Sequence, residues 1–275
     1  MLEALLEYKF LQNAFLSTIL ASITCGIMGT IITEKKLVML SGGIAHTTFG
    51  GIGLGYFLGI EPIISGLFFS IIASLGISRI NKKTDTYSDL LIGMFWSLGM
   101  ALGVLFIAFT PGYPPDMTSY LFGDILTVSR KELLLMLIFD LIIITIIVSF
   151  FNIFKAYLFD EEFLAIQGAP ILLLEYLLYI LIACTVVLLV KVTGIILSIA
   201  LLTVPIALAK QFTYNLKNLM ILSCGLGAVF CLMGLFVSYK LGIPSGATII
   251  IIAIFSYLTI VFLKKKTARK HSLPQ

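Results

Sequence analysis

Residues 41–55 read Ser41-Gly42-Gly43-Ile44-Ala45-His46-Thr47-Thr48-Phe49-Gly50-Gly51-Ile52-Gly53-Leu54-Gly55, a glycine-rich stretch within an apolar run from residue 37 to residue 59. Residues four apart share one face of a helix, so small residues at that spacing form a smooth ridge where another backbone can approach. The residues of this ridge, which predicts helix packing or a dimer contact, are Gly43, Thr47, Gly51, Gly55 and Gly59. His46 lies on the adjacent ridge, at a depth where a polar side chain is costly and usually faces a passage. The stretch therefore favours a transport function.

The composition places the chain among membrane proteins. Of its 275 residues, 60% are hydrophobic and only 12% are charged, which is more apolar material than a soluble core can bury. The net charge of +4 is concentrated in loops and at the C-terminal tail, so it forms no basic face for nucleic acid. The cysteines lie in apolar runs without C-x-x-C spacing, which indicates neither a disulfide framework nor a zinc knuckle. We expect a polytopic helical protein with lipid, and no nucleic acid, around it.

Nine apolar segments are long enough to cross about 30 Å of hydrocarbon as helices. They cover residues 13–33, 37–59, 62–79, 88–110, 132–153, 172–190, 193–211, 217–238 and 244–263. The segment 193–211 is short and contains Pro205, so it favours a broken helix and leaves eight spans as the alternative. The predicted fold class is an all-α polytopic membrane protein. One transmembrane domain, 13–263, would lie between an amphipathic segment, 1–12, and a basic cytoplasmic tail, 264–275.

The distribution of lysine and arginine predicts the orientation in the cell membrane. If the loop at Glu34 is cytoplasmic, thirteen basic residues fall inside and five outside. The inside set is Lys35, Lys36, Arg79, Lys82, Lys83, Lys155, Lys210, Lys217, Lys264, Lys265, Lys266, Arg269 and Lys270. Because positive residues accumulate on the cytoplasmic side, this pattern predicts an external N-terminus and a cytoplasmic C-terminus.

Two connections are longer or more apolar than a turn requires. The external one, 111–130, begins with a proline-fixed turn and continues as an amphipathic helix on the outer face, where a gate or docking surface would lie. The cytoplasmic one, 159–169, predicts a short helix that is acidic at its start and closed by Gly-Ala-Pro. It would present Phe163, Leu164 and Ile166 to the cytosol. A soluble partner is the expected reason, and a helix lying flat on the inner leaflet is the alternative.

The order of these pieces resembles the membrane subunits of ATP-driven metal importers, the zinc, manganese and iron permeases of the ABC-3 family. The matching stretches are Leu37–His46, Ser119–Arg130, the helix before Gly168, Val192–Pro205 and Leu241–Thr248. Each stretch is a weak signal alone, but the ordered set spans residues 10 to 262. The fold that this resemblance implies is the type II-like importer permease fold.

The resemblance implies a transport subunit that is not itself an enzyme. A second copy or a paralogous permease would enclose one pathway with it, and an extracytoplasmic binding protein would deliver a divalent metal, zinc first, with manganese or iron as alternatives. An ABC ATP-binding subunit would dock on the residues of the cytoplasmic helix, Glu161, Glu162, Phe163, Ala165 and Gly168. The sequence contains no G-x-x-x-x-G-K-[ST] loop, so another chain must hydrolyse ATP. No cofactor is expected on this chain beyond the metal that it carries.

One departure from the family pattern concerns the predicted metal pathway. Many of these permeases have an aspartate four residues before the histidine, and this chain has Gly42 there. A single imidazole per chain, His46, could still pass a metal ion, because a conduction site should bind weakly. A structural alternative is an imidazole that only fixes helix packing. Asp140 is the second candidate ligand, since a carboxylate at that depth costs about 2.5–3.5 kcal/mol and needs a partner or a purpose.

Other transport functions share some of these features. A secondary metal or proton-coupled carrier would also use an intramembrane histidine and aspartate, but it usually has inverted repeats with paired broken helices. An ABC permease for a chelated metal would share the helix count and the cytoplasmic helix. An intramembrane enzyme fits least, because the sequence has neither H-E-x-x-H nor G-x-S-x-G.

Overall fold

The computed structural model describes residues 7–83, 87–112, 123 and 125–271. Its regular elements there are helices, with one short 3-10 helix, Ile125–Thr127. In chain order they are α1 (Lys9–Glu34), α2 (Val38–Leu58), α3 (Pro62–Lys83), α4 (Ser88–Phe109), α5 (Arg130–Ser149), α6 (Phe151–Phe159), α7 (Glu161–Ile166), α8 (Ile171–Leu201), α9 (Val204–Ala209), α10 (Leu216–Leu241) and α11 (Ser245–His271).

Polar contacts define a first end of the helix bundle. The Asn13 side-chain amide, early in α1, donates a hydrogen bond of 3.0 Å to the backbone oxygen of Val128, just before α5. Glu132, in the first turn of α5, forms an ion pair of 3.4 Å with Lys191 in α8. The starts of α1 and α5 and the region around Lys191 therefore lie together.

Other ion pairs define the opposite, second end. Helix α1 has 26 residues and is about 39 Å long at 1.5 Å per residue, so its last residue lies across the bundle from its start. Glu34, that last residue, pairs with Lys210 at 3.0 Å, and the next residue, Lys35, pairs with Glu161 at 2.6 Å. Helix α7 and the end of α9 are thus neighbours of the C-terminal end of α1.

The chain reverses direction inside α8. Lys191 lies at the first end and Lys210 at the second, and between them Gly194 has the non-helical angles φ 78 and ψ 168. A positive φ is accessible to glycine because it has no Cβ. Residues 195–209 therefore form a separate pass back across the bundle, which we call the reversed segment. Its short length matches the broken helix predicted for residues 193–211.

The number of membrane passes depends on whether it is counted from the hydropathy of the helices or from the positions of their ends. Seven described segments are long and apolar enough to span a membrane, with Ile171–Ala209 counted as one. Helix α2 is not among them, because its glycines, threonines and His46 dilute its apolar content, although most of its residues are buried. With α2 and the reversed segment included, the described residues make nine passes between the two ends. This count agrees with the nine apolar segments read from the sequence.

Small residues let α2 pack closely against α3 and α4. A Cβ added at Gly51 would lie 2.7 Å from the Cα of Gly66 in α3, and one added at Gly50 would lie 2.7 Å from the oxygen of Gly99 in α4. Such distances leave no room for a methyl group, because the contact atoms belong to backbone. The glycine-rich stretch therefore holds α2 inside a three-helix unit of its own chain.

The described end of the predicted external connection packs against the point where the chain reverses at Gly194. Gly123 has φ +65, and a Cβ there would overlap the backbone of Thr193 and Gly194. Ile125 and Val128 are buried. The predicted amphipathic helix falls mainly on residues 113–122 and 124, which lie outside the described residues. Its described end is packed into the bundle rather than lying on its surface.

Several boundaries differ from the sequence-based intervals. Helix α1 begins at Lys9, so the described part of segment 1–12 joins the first spanning helix, and Leu11 is fully buried. The segment 132–153 is divided at Phe150, whose φ of −109 ends α5 before α6 begins. Helix α11 continues through the start of the predicted tail to His271.

Candidate functional site

His46 lies on the surface of α2 that faces Trp96 of α4. The two rings are stacked, with centroids 4.0 Å apart and planes inclined by 9°. The imidazole is half-buried, and its Nδ1 atom is buried without a hydrogen-bond partner. An imidazole that served only packing would be expected to satisfy this nitrogen, because an unpaired buried polar atom is costly. Packing within the chain therefore leaves this nitrogen unpaired, and only part of the imidazole is accessible from the surface of α2.

The contact between α2 and α4 fixes the relative position of these rings. The Thr47 hydroxyl is shared between the backbone oxygens of Gly43, at 2.7 Å, and Phe95, at 3.1 Å. A Cβ added at Gly99 would come within 2.5 Å of the Thr47 Cα. Because Thr47 and Phe95 directly follow or precede the stacked residues in sequence, this contact holds His46 against Trp96.

The reversed segment borders the same face of α2. The side chain of Ile199 reaches to 3.9 Å from the position of a Cβ at Gly42, one turn before His46. Ile196 is 44% exposed, and a Cβ added at Gly93 of α4 would meet no atom within 4 Å. A single chain thus leaves an open face, which we call the His46 face, bounded by α2, α4 and the reversed segment.

Asp140 is enclosed elsewhere in the bundle. It is 2% exposed and accepts a short hydrogen bond from the Thr24 hydroxyl of α1, while its Oδ2 atom is buried without a partner. Helix α5 packs mainly on α1, whereas α2 packs mainly on α3 and α4. The structure does not bring Asp140 and His46 together. Among the described residues no three His, Cys, Asp or Glu side chains form a group that could hold a metal ion.

Helix α7 is a short exposed element at the second end. Its N-cap, Asp160, accepts a hydrogen bond of 2.9 Å from the backbone nitrogen of Phe163, and Gly168 with φ 78 follows its last turn. Phe163 and Ile166 are 52% and 85% exposed, but Leu164 is buried at 5%. The expectation that Leu164 faces the cytosol is therefore wrong, because this side chain packs inward and anchors the helix. The other predicted docking residues, Glu161, Glu162, Phe163, Ala165 and Gly168, are exposed.

The sequence matches the ABC 3 transport family over residues 7–264. This chain belongs to that family. A manganese transport system membrane protein, MntC of Listeria monocytogenes, is 30% identical over 96% of this ABC-3 chain and 95% of its own length. An uncharacterized membrane protein of Synechocystis is 41% identical over 94% of this chain and 93% of its own. The family resemblance read from the ordered motifs is confirmed.

A solved structure shows the same architecture. The chain matches PsaBC from Streptococcus pneumoniae, solved in complex with a Fab, with a TM-score of 0.85 and 29% identity. The match covers 94% of this ABC-3 chain and 93% of the other. The all-α importer permease fold expected from the sequence is confirmed. The chain is a multi-pass membrane protein of an ABC transporter.

The predicted glycine ridge of this ABC-3 chain makes contacts mostly within the chain. Added Cβ atoms at Gly43, Gly51 and Gly55 would meet Ile92 of α4, Gly66 of α3 and Pro62 of α3, respectively. Gly59 instead ends α2 with φ 68 and has no such neighbour within 4 Å. The ridge surfaces are therefore occupied by α3 and α4.

Sequence reasoning missed several residues that shape the site. Trp96 is the only tryptophan in the chain, and this rarity was a signal in the sequence. Its spacing, however, gives no link to His46. Gly99 and Gly103 are four residues apart in α4 and form the same kind of small-residue ridge as in α2, so this signal was available. The ion pairs of Glu34 and Lys35 had no local signal, because their partners are far away in sequence.

Proposed function

We propose that this chain is the membrane subunit of an ATP-driven importer that carries a divalent metal ion, working as a homodimer or with a paralogous permease. Its family, and relatives named as manganese transport proteins, support this function. Membership in an ABC family also favours it over the secondary carrier considered above. The metal would come from an extracytoplasmic binding protein at the first end and leave at the second.

The observation that carries the proposal is the His46 face. A half-buried imidazole with an unpartnered nitrogen is poorly placed against acyl chains, because hydrocarbon offers no hydrogen bond. A second copy across this face would place two imidazoles beside one water-filled route. Two nitrogen ligands completed by water hold a metal weakly, which permits release as well as entry. Asp140 has no place on this route, since it is sealed between α1 and α5.

Manganese and zinc are the two cargo candidates, each with its own support. Manganese is the metal in the names of relatives from Listeria and Streptococcus parasanguinis. Zinc is favoured by the ligand chemistry, because imidazole suits zinc, whereas manganese prefers oxygen ligands and Gly42 supplies none. Uptake measured with each metal in competition with the other distinguishes them.

The second end is proposed to face the cytoplasm and to receive the ATP-binding subunit on α7. The basic residues that would fall inside include Lys35, Lys210 and Lys264, all of which lie at this end. Exposed Phe163 and Ile166 give α7 an apolar surface that a soluble partner can cover. This orientation puts the N-terminus outside and the C-terminus inside the cell membrane.

The test is reconstitution of the complete transporter. The chain would be expressed with the ATP-binding and metal-binding proteins encoded beside it, purified as a complex and placed in liposomes. We expect ATP hydrolysis that rises when metal-loaded binding protein is added, together with metal accumulation. Metal movement that does not need ATP, or the lack of any associated ATPase, would overturn the proposal.

A further inference from the structure

Two consecutive residues at the second end, Glu34 and Lys35, connect different parts of the molecule. Lys35 pairs with Glu161, the first residue of α7, and Glu34 pairs with Lys210, which follows α9. The two residues close the last turn of α1, and we call them the Glu34–Lys35 corner. The corner therefore contacts both the exposed short helix and the far end of the reversed segment.

Lys35 is held by three contacts. Its Nζ atom lies 2.6 Å from Glu161, donates a hydrogen bond of 3.1 Å to the backbone oxygen of Tyr157, and sits 3.8 Å from the centre of the Tyr157 ring. Burial, followed by the nearby carboxylates of Glu175 and Glu161, raises the pKa of the Tyr157 hydroxyl, so this ring stays neutral beneath the ammonium group. The Lys35 side chain is 20% exposed and the Glu161 side chain 45%, so solvent partly screens the ion pair, while the contacts with Tyr157 are on the more enclosed side of Lys35.

Helix α7 depends on this contact for its position. It has only six residues and lies between two non-helical joints, at Asp160 and around Gly168. Leu164 is its one buried side chain. A short helix with a single apolar anchor can pivot about that anchor, so the pair between Glu161 and Lys35 supplies the second point that sets its direction.

The other side of the corner is packed tightly onto the reversed segment. A Cβ added at Gly29, near the end of α1, would lie 2.7 Å from the backbone oxygen of Leu202 and 2.8 Å from the side chain of Ile206. The carboxylate of Glu34 then holds Lys210 at 3.0 Å, with side chains 16% and 32% exposed. The end of α1 and the reversed segment are therefore closely packed and joined by an ion pair, and that segment borders the His46 face through Ile199.

We infer that the Glu34–Lys35 corner transmits movement of α7 to the reversed segment beside His46. The inference rests on the proposed function, in which the ATP-binding subunit docks on α7. The covalent path from α7 to α8 runs through the non-helical joint at Gly168, whereas the path through the corner consists of ion pairs and close packing. Glu34 and Lys35 are positioning residues that couple ATP hydrolysis to metal movement.

The experiment compares variants of the full complex in liposomes. Lys35→Met removes the link to α7, and we expect the complex to copurify and hydrolyse ATP while the metal transported per ATP falls about tenfold, or about 1.4 kcal/mol of coupling. Lys35→Arg keeps a cation that can pair with Glu161 and donate to the Tyr157 oxygen, and it should keep most of the ratio. Glu34→Gln weakens the pair with Lys210 and should also lower the metal transported per ATP.

The matched control is the ion pair at the opposite end. Lys191→Met breaks the ion pair with Glu132, whose two side chains are also partly exposed. This pair lies at the first end, away from α7 and the corner. We expect its transport-to-hydrolysis ratio to equal that of the unmodified chain. If Lys35→Met fails to fold, Glu161→Gln tests the same pair from its more exposed, 45% accessible partner.

The outcomes separate the inference from the function on which it rests. An unchanged ratio in Lys35→Met or Glu161→Gln, or an equal loss in Lys191→Met, would show that the corner only stabilises the fold. A ratio that falls as far in Lys35→Arg as in Lys35→Met would equally refute an ion-pair link. Failure of the unmodified complex to transport metal with ATP would instead refute the proposed function.

Discussion

His46 and Asp140 are both ionisable side chains within apolar segments, but the structure gives them opposite surroundings. His46 is half-buried on an open face, stacked on Trp96 and without a partner at Nδ1. Asp140 is 2% exposed and bonded to Thr24 inside the helix bundle. The cost of a polar group in a membrane marks both residues as exceptional. It does not say which of them a passing ion can reach.

The difference teaches that access, not depth, separates a route residue from an internal one. On the proposed route between two chains, an ion would meet groups on an open face, whereas an enclosed carboxylate would require the bundle to open first. Because His46 is only half-buried, removing its imidazole loses the contact with Trp96 but disturbs less packing than removing a fully buried side chain. Removing the Asp140 carboxylate changes a packed interior and leaves the Thr24 hydroxyl without this acceptor.

The largest expected effect is on metal uptake by His46→Ala. We expect uptake by the reconstituted complex to fall about tenfold or more, because the intramembrane ligand is lost while the fold is not. Metal accumulation in liposomes and the thermal unfolding of the purified complex measure the two effects separately. Asp140→Leu is the matched variant, and normal uptake by His46→Ala would end the assignment of this residue to the route.

A second prediction concerns the packing that presents His46. Gly99→Ala should destabilise the chain by about 1–3 kcal/mol and lower uptake, because its methyl group would collide with the Thr47 backbone and displace Trp96. Gly93→Ala in the same helix meets no atom within 4 Å in the chain and should not lower its stability. Thermal unfolding of the two variants in detergent provides the comparison. Equal behaviour of the two glycine variants would contradict the close approach of α2 and α4.

The smallest expected effects concern Asp140. Asp140→Leu should leave uptake within about twofold of normal, because the Thr24 hydroxyl can still donate to the Leu20 oxygen at 3.3 Å. Thr24→Val should cost about 1 kcal/mol with the carboxylate present and almost nothing in the Asp140→Leu background. Unfolding of the four chains completes a double-mutant cycle. Loss of uptake in Asp140→Leu without loss of stability would place this carboxylate on the route after all.

The sequence predicted the helical class, the nine apolar segments and the family, because each depends on local composition or on the order of short motifs. It also marked 193–211 as the weakest segment, and Gly194 is where the chain reverses. Leu164 was assigned to the wrong face because both faces of such a short helix are largely apolar or acidic. The contact of His46 with Trp96 was missed because it depends on the rotation of two helices about their axes.

The sequence alone determined that this protein lies in a lipid environment. It also determined the apolar segments that cross it, the few ionisable groups within them and the exposed short helix. Tertiary structure decided which of those groups meet. Thr24 and Asp140 are 116 residues apart in the chain, and Lys35 and Glu161 are 126 apart. In a membrane protein every helix face is apolar, so periodicity does not reveal which face is buried. Only the assembled bundle leaves His46 open and encloses Asp140.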